Sequence, residues 1–124
     1  MGTWNLGLRG PGLLLRLEGL AAFLLALLLY RELAFGWLWF ALLFFFPDLS
    51  LVAYLAGARL GAVFYNSVHT YVLPAALWAA GFVLEIRVGM ALGLIWAAHI
   101  GLDRALGFGL KYASGPRPTH LQRV

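Results

Sequence analysis

Asp48, His69, His99 and Asp103 lie within long apolar stretches of a chain that holds five acidic residues and three histidines in 124. Imidazole and carboxylate are the side chains that ligate zinc, manganese or iron. An ionisable group inside an apolar span is expensive to bury and marks a functional site by default. The spacing adds a local argument. His99 and Asp103 stand i, i+4 apart and share one helix face, and Asn66 and His69 stand i, i+3 apart with Tyr65 one turn before His69. The expected metal ligands are therefore Asp48, His69, His99 and Asp103, holding a divalent ion. Glu18 is the expected general base for a metal-bound water, and Arg104 or Asn66 the expected holder of substrate oxygens. His120 is read as an ordinary surface histidine unless the tail folds back onto the site.

Blander roles stand beside each of these. Asp103 could simply fix His99, Glu18 could pair with Arg104 in a buried salt bridge, and Asp48 could cap a helix resumed after Pro47. Asn66 reads more readily as a polar bridge between helices.

The surrounding composition decides what kind of element must position these groups. Apolar residues make up 63% of the chain and charged residues 11%, and the mean hydropathy is +0.87. A soluble domain carries about 25% charged residues. The chain is therefore read as all-α, an integral membrane bundle of about four transmembrane helices. Cysteine is absent, which removes disulfides, thiolate catalysis and cysteine-ligated metals. The net charge of +4 comes from basic residues placed singly near helix ends, a pattern of membrane topology and not of nucleic-acid binding.

One domain is expected over residues 1–112, with spans at about 11–30, 33–56, 60–84 and 88–110, followed by an irregular cytoplasmic tail over 113–124. The second span is expected to be broken or kinked at Pro47, and the third carries Pro74 in its middle. Arg9, Arg59, Lys111, Arg117 and Arg123 then share one side and Arg31 and Arg87 the other. The positive-inside rule makes the first side cytoplasmic, with both termini there. At 1.5 Å per residue, Glu18, Asp48, His69, His99 and Asp103 fall roughly 10–16 Å from that same face.

Gly89, Gly93, Ala97, Gly101, Ala105 and Gly109 recur every four residues in the fourth span. Such a stripe lets another helix approach closely, from this chain or from a second copy in a homodimer.

Six segments carry a family resemblance: LRLEGL (15–20), PDLS (47–50), YLAGARLGA (54–62), YNSVHTY (65–71), AHIGLDRALGFGLKY (98–112) and THL (119–121). Together they resemble the small bacterial membrane family filed as domain of unknown function 4260. The resemblance brings no established activity. It implies that Glu18, Asp48, Asn66, His69, His99, Asp103, Arg104 and His120 are motif residues, in the bacterial inner membrane. A looser similarity, in residue types and the Pro-Asp dipeptide, is to inner-membrane metal-dependent hydrolases, and serves as analogy.

Three functions follow as expectations. The first is a metal-dependent membrane hydrolase acting on a membrane-associated substrate. The second is a structural or partner-binding membrane protein whose polar residues are helix glue. The third is a proton- or ion-coupled carrier or channel.

Overall fold

A computed structural model of the chain describes residues 10–108, together with the backbone of 111–112 and 115–119. The order of elements is α1 (Gly10–Leu33), α2 (Trp37–Leu43), a 3-10 helix (Phe46–Ala56), α3 (Ala58–Val68), α4 (Val72–Leu84) and α5 (Arg87–Leu106). Lys111–Tyr112 then pairs antiparallel with Gly115–Thr119, Lys111 opposite Thr119 and Tyr112 opposite Gly115. The tail expected to be irregular thus holds a short extended pair, and it lies beside α3.

Prolines stand at helix starts. Pro47 stands in the first turn of the 3-10 helix, and Pro74 in the first turn of α4. A first turn is where proline's missing N–H leaves no bond unmade. The stretch expected as a single third span is therefore two helices, parted at residues 69–71.

Among the described residues, three stretches are long and apolar enough to cross a membrane: Gly10–Leu33, Trp37–Ala56 and Ala58–Leu84. Four were expected, and α5 is not among them. It carries His99, Asp103 and Arg104, and nine of its twenty residues are buried. The other helices shield it: α1 and α4 both pack along it, and the 3-10 helix touches it as well.

Small residues permit that packing. The face that α1 turns inward carries Gly12, Gly19, Ala26 and Tyr30, while Leu14, Leu17, Leu25 and Leu28 are exposed on its other side. A Cβ built on Gly101 would lie 2.7 Å from both the Gly19 oxygen and the Phe23 nitrogen. One built on Gly93 would lie 2.8 Å from the Pro74 oxygen and the Trp78 nitrogen. The α5 stripe is thus filled from within the chain, by α4 at Gly89 and Gly93 and by α1 at Gly101. Gly109 lies outside the described residues.

The core has two parts. Tyr30, Ala91, Leu94 and Ile95 form one cluster, and Ala26, Phe44 and Ala98 the other. Side-chain donors satisfy carbonyls where helices end. Arg87 Nη2 donates to the Leu33 carbonyl at 2.6 Å, and Tyr30 Oη to that of Gly36 at 2.5 Å. Gly107, at φ 99°, closes α5 in the left-handed conformation that glycine adopts without strain.

Candidate metal centre

The two imidazoles of the site are fixed in different ways. His69 caps the C-terminus of α3 and its ring is fully buried. Its Nδ1–H donates to the Tyr65 carbonyl at 2.9 Å, and its ring stacks on Tyr65 with centroids 3.7 Å apart. Nε2 is thereby aimed away from α3. His99, in the middle of α5, is equally buried, wedged by the ring edges of Phe44 and Phe45. Its Nδ1 has no hydrogen-bond partner, and its Nε2 points the same way as that of His69.

Both Nε2 atoms meet the two aspartates. Asp48 Oδ1 lies 3.2 Å from His69 Nε2 and 3.1 Å from His99 Nε2. Asp103 Oδ2 lies 3.6 Å from His69 Nε2 and 3.2 Å from His99 Nε2. One ligand atom from each of the four residues falls within 4.8 Å of all the others. Asp48 reaches the site from the first turn of the 3-10 helix, and Asp103 from one turn beyond His99. The histidine side chains are 1% exposed, Asp48 38% and Asp103 18%. The cluster is therefore closed at its imidazoles and more open at its carboxylates; Phe45 and Leu49, close to Asp48 in sequence, are exposed.

The family-model comparison matches the description "domain of unknown function (DUF4260)" over residues 12–124. The chain belongs to this family. No curated protein and no solved structure matches it.

Within this DUF4260 chain, the other expected site residues are not among the four that converge. Glu18 is exposed on α1 and outside the group. It makes no ion pair with Arg104, because the buried guanidinium is turned to backbone. Arg104 Nη2 donates to the His69 carbonyl at 2.9 Å and Nη1 to that of Phe108 at 3.4 Å. Asn66 is half-buried, and its own carbonyl accepts from the His69 N–H at 3.2 Å. His120 lies outside the described residues.

Two further contributors, Tyr65 and Trp96, were not among the expected site residues. Tyr65 fixes His69 through both its carbonyl and its ring, and the i−4 spacing already placed the two on one face. Trp96 donates its Nε1–H to the Val68 carbonyl at 2.6 Å. The signal for Trp96 is its place three residues before His99, on the same side of α5.

The donor set of the DUF4260 cluster suits a divalent ion. A tetrahedral zinc with bonds of roughly 2.0–2.1 Å has ligand atoms about 3.3 Å apart. The four imidazole–carboxylate separations lie on either side of that value. Two carboxylates facing two neutral imidazoles would leave a partly buried double negative charge, which a divalent cation would cancel.

Proposed function

We propose that this chain is an integral membrane protein of the bacterial inner membrane. Its four crossings are α1, the broken segment 37–56, the broken segment 58–84, and α5 shielded at the centre. Asp48, His69, His99 and Asp103 hold one divalent cation of the zinc, manganese or iron class. The protein uses it to hydrolyse a membrane-associated substrate. The supporting observation is the convergence of two Nε2 atoms and two carboxylate oxygens at 3.1–3.6 Å. An ion in such a setting polarises a substrate carbonyl or phosphoryl oxygen and activates water at neutral pH. The carboxylates, more exposed than the imidazoles, suit a substrate arriving from the lipid phase.

The first test is metal analysis by mass spectrometry. The protein is purified in mild detergent without chelator, beside His99→Ala. About one equivalent in the parent and none in the variant supports the reading. Folded parent that stays empty after loading with zinc, manganese and iron overturns it.

One observation favours a second reading. The same separations fall in hydrogen-bonding range, so protonated histidines could tie the 3-10 helix and α3 to α5 as structural glue. In that case His99→Ala lowers stability while neither protein binds metal.

A further inference from the structure

The break between α3 and α4 interrupts an apolar stretch long enough to span a membrane. In lipid, carbonyls freed by such a break find no water and must be satisfied by protein. Each carbonyl from Tyr65 to His69 has a donor. Those of Tyr65 and Asn66 accept from the His69 N–H, and that of Ser67 from Thr70 Oγ1 at 3.5 Å. Those of Val68 and His69 are reached from α5, by Trp96 Nε1 at 2.6 Å and Arg104 Nη2 at 2.9 Å.

On α5, these two donors bracket His99 and Asp103 in sequence. The helix that contributes two of the four ligands therefore also grips the backbone of a third, His69, at its own carbonyl. We propose that Arg104 is a positioning residue for His69, acting through the His69 carbonyl, with Trp96 as its weaker companion one residue upstream at Val68. The inference rests on the metal-centre reading. It assigns to Arg104 a task distinct from contact with substrate. Because Nη1 also reaches the Phe108 carbonyl, the same guanidinium ties the end of α5 to the His69 ligand.

The test uses the full-length protein in detergent. Zinc affinity is read by chelator competition, and ligand geometry by the visible spectrum of the cobalt-loaded protein. Arg104→Gln is expected to weaken zinc binding about 10–100-fold, the usual cost of losing a group that orients a ligand, and to alter the cobalt spectrum. Arg104→Lys, which keeps a donor and the charge, recovers part of both. Trp96→Phe keeps an aromatic side chain but loses the N–H together with part of the indole's bulk, and shifts both readouts less in the same direction. A purely structural role would lower the melting temperature and leave zinc affinity and cobalt spectrum as in the parent, and that result overturns the proposal. Should Arg104→Gln fail to fold, Arg104→Lys and Trp96→Phe carry the test, and parental values in both overturn it. A parent that binds no metal is seen in the parent alone. It removes the metal-centre reading, and this inference with it.

Discussion

His69 and Tyr65 are joined twice: Nδ1–H of the imidazole donates to the Tyr65 carbonyl at 2.9 Å, and the two rings stack almost parallel, 10° apart. A ring held in that way has one tautomer in its neutral form, with the proton on Nδ1 and the lone pair of Nε2 facing the carboxylates. His69→Ala is therefore expected to abolish metal binding, a larger effect than the roughly 10–100-fold typical of losing a supporting group. Chelator competition on the folded variant measures it, and unchanged affinity would remove His69 from the ligand set.

Asp48 presents a single oxygen to both imidazoles. Asp48→Asn keeps the shape and deletes the charge. Metal affinity should fall at least about tenfold, while the helical circular dichroism stays that of the parent. Equal affinity in the two proteins would show that Asp48 is not a ligand.

Protons and metal compete for the same atoms, because a ligating imidazole must be neutral. Affinity should therefore fall as the pH is lowered. Two histidines face the ion, so the loss should be steeper than one proton per ion. Titrations at several pH values read the slope, and a flat profile would argue against imidazole ligation.

Close packing gives a prediction that does not depend on metal. A Cβ at Gly101 would meet backbone atoms of Gly19 and Phe23 at 2.7 Å, whereas at Gly89 the nearest atom is 3.4 Å away. Gly101→Ala should cost roughly 1–3 kcal/mol, the usual range for forcing atoms into a packed interface. Gly89→Ala should be much milder. Thermal melts in detergent compare them, and equal melting temperatures would contradict the α1–α5 contact.

The chain contains no cysteine, so single cysteines report sidedness without background. Arg59→Cys is expected to react with an impermeant thiol reagent only from the cytoplasmic side, and Glu32→Cys only from the other. Labelling of both from one side would overturn the proposed topology.

Much of this was readable from residue order. Apolar length and scarce charge point to helices able to span a membrane, and the i, i+4 pair on α5 needs only helical periodicity. Common depth suggested that Asp48 and His69 could join His99 and Asp103. Depth cannot aim a side chain, however, and both Asp48 and His69 sit where a helix begins or ends. Periodicity gives no direction at such places.

What the sequence by itself determined is the solvent this protein suits and the groups too costly to leave unpartnered, because hydrophobicity and charge are properties of residues. Tertiary structure decided the rest. It set the break at 69–71, the filling of the α5 stripe by α1 and α4, and the turning of Arg104 from Glu18 to the His69 carbonyl. Each of these depends on which backbone atoms are left without a partner once the helices pack. Only the assembled chain shows where those atoms lie and which side chain is near enough to reach them.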